Sequence, residues 1–465
     1  MPPTYDAVLI GAGLASLTAA RSLAGYRIAL LEARNRVGGR ALTTHDTPQP
    51  VDLGCSMIHG FKEGNPAAKL ITGELGMDAY VAEGAKGLVY GPNGPLSEAD
   101  ATSLFATSAQ NAFTPPTSVP ADASIASLLF PKLKDDPRLV ALARTAEIGS
   151  GEVLEKQSAK YAGFEQGFAG TDAFPVGGYG AEVVSNLLAD IKTAGGEVHL
   201  DAEVVSLEDL GAKEGIKLKT KSGKEFTSKT VISTIPHAVL REAPPTFTPP
   251  LSPQFTSAVE RMRTGALEKV VLTYPTAWWP SPAENGSFLL LPLSSGASDE
   301  PSSLRDLFSR TVIPVTSFQR IASTPHPTLL AYIGADAARF ISSYADEEVA
   351  SAFHSYLVER LSPSSASSSA LIPEPTTKLV TSWLRDPFSR GATSTPIVLT
   401  TSSDGEPNTP LDFLLVARAQ WEGRLGFAGE HTVLDNHGSV AGAVISGKRE
   451  GERVKEMLER LSEAA

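Results

Sequence analysis

The sequence predicts an α/β fold built on a parallel sheet, from three observations in its first forty residues. The run Ala7-Val8-Leu9-Ile10 has no polar interruption, as in a strand covered on both faces. It leads into Gly11-Ala12-Gly13-Leu14-Ala15-Ser16 and a helical stretch through about Leu23. A second apolar strand, Ile28 to Leu31, then ends at Glu32. Strand, turn, helix and strand within about thirty residues make one βαβ unit.

The turn in that unit has the spacing of a dinucleotide fingerprint, Gly11-x-Gly13-x-x-Ser16, with serine at the third glycine position. Serine is small enough for close packing of helix on strand. Glu32 stands about twenty residues downstream at the end of the second strand, where a carboxylate accepts hydrogen bonds from ribose hydroxyls. Glycines let the backbone approach a pyrophosphate, and the helix N-terminus offers unpaired N–H groups at the positive end of its dipole. The alternative is an ordinary βα turn with a solvated glutamate. Directly after Glu32, Ala33-Arg34-Asn35-Arg36-Val37-Gly38-Gly39-Arg40 brings three arginines and two glycines, a pattern suited to phosphate neutralisation around a tight bend. Its alternative is a solvated basic loop.

Composition bounds the classes available. The 465 residues, 42% hydrophobic and 20% charged, give a soft expectation of three domains or two large ones with a substantial core. A net charge of -12 disfavours non-specific binding to nucleic acid or to an anionic membrane face and is compatible with a cationic ligand. The single cysteine, Cys55, excludes an internal disulfide framework and a multi-cysteine zinc or iron-sulfur site, and no metal is expected. A reducing compartment follows as the default. With no basic, apolar leader, no spanning apolar run and no Ser-Lys-Leu end, the expected location is cytoplasmic.

Further along, Pro175 to Gly180 precedes an amphipathic helical run, Ala181 to Thr193. Strand-like segments follow at Val198 to Leu207 and Ile216 to Lys219, then a lone apolar strand from Val231 to Ile235 that stops at Pro236. The proline-rich stretch Ala243 to Pro253 reads as the start of a new region, and Ser281 to Ser303 and Ser362 to Pro375 as surface loops. Leu425 to Gly429 reads as a short strand, and Ser439 to Leu461 as a helix. No internal repeat is visible.

The string Glu32 to Arg40 resembles the second FAD motif of the flavin-dependent amine oxidases, the family that includes monoamine oxidases, polyamine oxidases and lysine-specific histone demethylases. Four more segments match in the family's order. Asp52 to Gly60 with Gly64-Asn65-Pro66 resembles the segment that passes the flavin in animal polyamine oxidases. Val231 to Pro236 with Leu240 is similar to the strand-to-proline crossover between domains. Trp383 to Gly391 is similar to the Trp-x-x-Asp-Pro-x-x-x-Gly element of the polyamine oxidase and demethylase branch. Phe427 to Thr432, with Gly442-Ala443 and Ser446-Gly447, resembles the closing FAD motif.

The resemblance implies an FAD-binding Rossmann-like domain of the GR2 type, interleaved with an α+β substrate domain built on a mixed sheet. The FAD-binding domain would comprise 1–85, 175–240 and 415–465, and the substrate domain 86–174 and 241–414. Residues implied at the cofactor are Gly11, Gly13, Leu14, Ala15 and Ser16 at the turn, then Glu32 and Ala33 at the adenosine ribose. Arg34, Gly39 and Arg40 would lie at the pyrophosphate, the Val204 backbone at the adenine, and Gly429 and Glu430 at the ribityl or pyrophosphate part. Gly54, Cys55, Ser56, Met57, Ile58, Trp383, Gly438, Ser439 and Val440 would surround the ring. No cysteine lies near the C-terminal segment, so the FAD is expected to be non-covalent. The implied reaction transfers hydride from the carbon beside a neutral amine to flavin N5, with imine hydrolysis and reoxidation by dioxygen to give hydrogen peroxide.

Two residues are implied as catalytic. Lys269, in the apolar Leu267 to Leu272, falls where the family holds a water against N5; the alternative is an edge-strand lysine with its amine in solvent. His59 matches a histidine on the substrate's approach, with a core histidine bonded to a carbonyl as the alternative. Thr393, His437 and Ser439 are further substrate candidates. Thr393 and Ser439 stand where monoamine and plant polyamine oxidases carry aromatics, which implies a wider site and a polyamine or bulkier primary or secondary amine as substrate. The stretch Ser56 to Ile58 lacks the carboxylate-binding arginine of amino acid oxidases, and the long helical insertion of the demethylases has no counterpart. A same-fold oxidase acting on an amino acid or a C–C bond, and a weakly active flavin-binding scaffold, stay open as other functions. The oligomeric state is undetermined by the sequence.

Overall fold

The computed structural model describes residues 4–81, 88–280, 287–293, 300–321, 325–362 and 372–463. Strand β1 (Tyr5–Ile10) has Ala7, Val8 and Leu9 fully buried and is paired in parallel on both sides, with β2 (Ile28–Leu31) and with Glu225–Ser233. This is why its apolar run is continuous rather than alternating. Helix α1 (Leu14–Ser22) starts at Gly13, which has extended backbone and no side-chain cap.

Among the described residues, eight strands form the first sheet. Its path runs Thr246–Thr248, Val204–Asp209, Ile216–Thr220, Glu225–Ser233, β1, β2 and Glu197–His199, and Leu425–Phe427 pairs beside Glu225–Ser233. Pairing is parallel except around Ile216–Thr220, which is antiparallel to both neighbours. One face is covered by α1, by the helix Val184–Thr193, which continues a π turn over Tyr179–Val183, and by the C-terminal helix Val440–Glu463. The C-terminal helix approaches α1 through glycines one turn apart. A Cβ on Gly447 would stand 2.3 Å from the Ala15 carbonyl oxygen, and one on Gly451 would stand 2.8 Å from that of Ala19.

The second sheet has seven strands among the described residues, in the order Thr377–Val380, Leu267–Thr273, Thr328–Gly334, Ile313–Ser317, Ser287–Leu290, Leu88–Gly91 and Gly94–Pro95. Leu267–Thr273 pairs antiparallel on both sides, and Lys269 stands opposite Tyr332. Alternation sorts its side chains. Val270 and Leu272 pack with Val349, Phe353 and Leu357 of the helix Asp346–Leu361, whereas Val271 faces Val51 and Leu53. Lys269, two residues from Val271, shares that second face.

Several expectations need correction. Val198 to Leu207 is two strands, because Asp201 adopts φ +52° and the Asp201 and Ala202 amides turn to the carbonyls of Arg34 and Glu32. The strand read as Val231 to Ile235 begins at Glu225 and ends at Ser233. Beyond the expected boundary at 240 the chain still belongs to the first sheet, since Thr246–Thr248 pairs with Ser206–Glu208. Within the expected loop Ser281 to Ser303, Ser287–Leu290 is a strand of the second sheet; positions 281–286 and 294–299, and 363–371 of the other loop, lie outside the described residues.

The glycine contact between the two long helices leaves no room for a larger residue. We expect Gly447→Val to lose at least about 2 kcal/mol of unfolding free energy through overpacking. Gly167→Ala, in open space, should change stability by no more than about 0.5 kcal/mol. Urea unfolding followed by circular dichroism compares them, and an equal loss in both would contradict this packing.

Candidate functional site

A cavity of about 840 Å³ runs from the glycine turn after β1 to the face of the second sheet that carries Lys269. At the turn, Gly11 has φ +97°, and a Cβ there would meet the Thr234 hydroxyl at 2.6 Å. Gly13, Leu14 and Ala15 line the cavity at the start of α1, whose first turn contains no acidic residue. Glu32 is buried, and its two carboxylate oxygens accept from the Ala12 amide at 2.7 Å and the Arg34 amide at 2.9 Å. It therefore fixes the glycine turn to the end of β2 while keeping lone pairs for a further donor.

The arginines act as bridges across the cavity wall. Arg34 donates to Asp386 at 2.8 Å and Ser389 at 2.7 Å, with its guanidinium carbon 5.5 Å from the centre of the Phe388 ring. Arg40 donates to Glu430 and to the Ala392 carbonyl, both at 2.8 Å. Burial alone would raise the Glu430 carboxyl. Arg40, His431 and the Ser394 hydroxyl outweigh it and hold the group at about 2. The Gly438 amide also donates to Glu430, at 2.9 Å.

Lys269 is 4% exposed on a strand paired on both sides, so the edge-strand alternative fails. Its Nζ donates to the carbonyls of Asp52 at 2.9 Å and Gly54 at 2.6 Å, and lies 3.4 Å from the Ser56 hydroxyl. Burial pushes its ammonium down to about 8, against the opposing pull of Asp52 and Cys55. The Cys55 thiol is pushed up to about 12, chiefly by burial and then by Asp52. Next to Lys269, Glu268 faces the other way, accepting from the Leu384 amide at 3.0 Å and bonding the Thr381 hydroxyl. Glu268 thereby seats the segment that carries Trp383, whose indole donates to the Leu53 carbonyl at 3.3 Å.

Most residues expected at the cofactor line this one cavity. Besides those named, Ala33, Gly39, Gly54, Ser56, Met57, Val204, Gly429, Ser439 and Val440 are in its wall. Two are not: Ser16 is buried in α1 with no hydrogen-bond partner for its hydroxyl, and Ile58 packs in the core under α1, its amide paired with Ala173. Of the substrate candidates, Thr393, Ser439 and His59 line the cavity. His59 is no core histidine: its side chain is 64% exposed, and Nδ1 lies 2.9 Å from the Asp172 carboxylate. His437 does not line the cavity. Its ring is stacked on Phe164, close to Phe413, with Nδ1 2.6 Å from Glu165, so nearness in sequence to Ser439 misled the reading.

The sequence reading missed Tyr332 and Thr316, which line the cavity beside Lys269, and the Glu203–Lys221 ion pair beside Val204. Tyr332 could have been suspected only from strand register, since Thr328–Gly334 otherwise reads as an apolar strand.

Residues 14–455 match the family described as flavin containing amine oxidoreductase. The chain belongs to that family. Among curated relatives, it is 26% identical to "Polyamine oxidase 3" of Oryza sativa subsp. japonica, over 99% of this chain and 91% of the relative. It is also 26% identical to "Polyamine oxidase 2" of Arabidopsis thaliana, over 98% and 89%. "Lysine-specific histone demethylase 1 homolog 3" of Arabidopsis thaliana is 28% identical over 97% of this chain, which spans only 30% of that relative's length. Membership of the amine oxidoreductase family implies a flavin cofactor and an amine substrate.

The Arg40–Glu430 pair gives this site a pH signature. The folded carboxyl lies below its ordinary value, so its contribution, on the order of 3 kcal/mol, is fully present above the ordinary carboxylate range and is lost as pH falls towards 2. We expect the stability difference between the native protein and Glu430→Gln to shrink by about 2 kcal/mol between pH 6 and pH 3. Urea unfolding at both pH values measures it; a difference independent of pH would refute the ion pair.

Proposed function

We propose that this chain is an amine oxidase that binds FAD along the cavity and oxidises the carbon beside an amine nitrogen next to Lys269. The observation that carries this reading is Lys269 itself, a buried amine brought by a doubly paired strand into the same cavity as the glycine turn of β1. A scaffold that only bound the cofactor would have no need of such a group. The first sheet and its helices would form the cofactor-binding domain, and the second sheet the substrate-binding domain.

The residues present suit a flavin dinucleotide. The uncapped start of α1 and the backbone cradle at Gly11 accept a pyrophosphate, Glu32 a ribose, and the wall near Val204 an adenine. The volume is within the roughly 300–1,000 Å³ of ligand sites. FAD would supply a two-electron acceptor, with dioxygen restoring it. A non-covalent cofactor is favoured because Cys55, the one cysteine, has a thiol held protonated at neutral pH and so is a poor nucleophile.

The chain's own groups would manage position and protons. His59, held through Nδ1 by Asp172, leaves Nε2 to take a proton from an arriving ammonium. The buried Lys269 ionises near 8 and can hold a water as donor or acceptor close to neutral pH. Every carboxylate in the described wall is already engaged: Glu32 by two amides, Glu203 by Lys221 and Glu430 by Arg40. With those carboxylates paired, and with Thr393 and Ser439 in place of aromatics, the wall favours a bulkier amine over a polyamine.

Purified protein should be yellow and release FAD into the supernatant on acid precipitation; flavin that stays with the precipitate would refute non-covalent binding. In a peroxide-coupled screen of spermine, acetylated polyamines, benzylic amines and long-chain amines, we expect the monoamines to outperform spermine. Silence across the panel with FAD bound would leave the scaffold reading standing. With an active amine, Lys269→Met should keep its FAD and lose at least about tenfold in rate, measured by stopped-flow absorbance. An unchanged rate would make the lysine structural.

A further inference from the structure

Tyr332 lies directly across the antiparallel pair from Lys269, on the same face of the second sheet. The Lys269 nitrogen is 5.3 Å from the centre of the Tyr332 ring, within cation–π range. The phenol lies near the side chains of Ser56 and Thr316, the first from the loop that receives Lys269 and the second from the strand on the far side of Tyr332. Ser56, Thr316, Tyr332 and Lys269 all line the cavity. Three separate segments thus meet around the lysine nitrogen, with the ring on one side of it and the carbonyls of Asp52 and Gly54 on another.

We propose that Tyr332 is a positioning residue for Lys269: its ring, set opposite the lysine by strand register, lies over the lysine nitrogen and holds that nitrogen against the Asp52 and Gly54 carbonyls. The proposal rests on the reading of Lys269 as the catalytic amine, and it assigns a role to a residue that no motif marks. Burial keeps the phenol protonated well beyond neutral pH, so the ring faces Lys269 as a neutral π surface throughout the working range. The other titratable groups facing the nitrogen are Asp52 and Cys55 from the receiving loop, with Arg40 beyond Cys55. On the lysine's own strand, Glu268 points to the opposite face, towards Thr381 and Leu384. The ring stabilises the charged lysine, while an aliphatic replacement would exclude water equally without that attraction. Removing the aromatic face should therefore lower the pH at which Lys269 loses its proton.

The test follows the titration of Lys269 itself and needs no turnover. Protein labelled with ¹³C at lysine Cε is titrated by NMR in the form purified, and the Lys269 resonance is assigned by its loss in Lys269→Met. In Tyr332→Leu, we expect the midpoint to move to lower pH by about 0.5 or more, a threefold change in proton affinity. Tyr332→Phe, which keeps the ring and loses only the hydroxyl, should move less than the leucine variant. Tyr332→Met serves the same purpose if the leucine variant does not fold. A midpoint in Tyr332→Leu equal to that of the native protein, or higher, would overturn the proposal. The flavin content of the same samples separates the two readings, because a flavin-free protein that still shows the shift would sink the FAD assignment while supporting the contact.

Discussion

A buried lysine amine needs acceptors, and the way this chain supplies them organises the rest of the molecule. The acceptors are the carbonyls of Asp52 and Gly54, on a loop between the two large sheets. That loop is itself clamped. The Asp52 carboxylate accepts from the Tyr179 amide and the Thr43 hydroxyl, and Trp383 donates to the Leu53 carbonyl. A Cβ on Gly54 would collide with the Arg40 carbonyl at 1.8 Å. Lys269 thus ties the second sheet to the segment that follows the arginine loop of the first, and the cavity takes its shape between them.

Charge pairs close the same cavity across long sequence distances. Arg34 and Arg40, a few residues beyond β2, reach Asp386 and Glu430 more than three hundred positions later. Pairs of this kind, largely removed from water, contribute little net stability over an apolar contact but are costly to break on one side only. Their effect is therefore on register: they fix where the Trp383 to Gly391 segment and the closing Gly429-Glu430 turn stand against the glycine turn of β1. If the arginines also neutralise a phosphate as proposed, the same pairs would assemble its surroundings.

How much of this was legible in the sequence depends on whether the signal is local. The β1 turn, Glu32 and the apolar context of Lys269 carry their signal within a few residues, and Gly11, Gly13, Glu32 and Lys269 line the cavity, whereas Ser16 does not. Features set by pairing were not legible. Tyr332 becomes significant only through its register with Lys269, and Ser287–Leu290 looked like a loop because its apolar run is bracketed by serine and proline. His437 failed for the opposite reason. It is adjacent in sequence to cavity residues, but Asn436 at φ +60° and Gly438 at φ +69° flank it, and its ring packs between Phe164 and Phe413. Arg34, assigned to phosphate by proximity, has partners that no window around it contains.

The energetics of Lys269 give the strongest physical reason to read the cavity as reactive. A lysine whose folded value is about 8, against 10.5 in the open chain, is protonated in both states below 8 and in neither above 10.5. Between those limits the unfolded chain binds more protons, so stability rises with pH there, and at neutral pH the full penalty of the buried charge is borne by the fold. That penalty is on the order of 3 kcal/mol, a sizeable part of the 5–15 kcal/mol or so that separates folded from unfolded proteins. An apolar side chain in the same strand would avoid it. A fold that carries such a cost at the wall of this cavity, with the nitrogen held by two carbonyls, a hydroxyl and an aromatic face, supports the proposed role of Lys269 as an amine that exchanges protons near neutral pH.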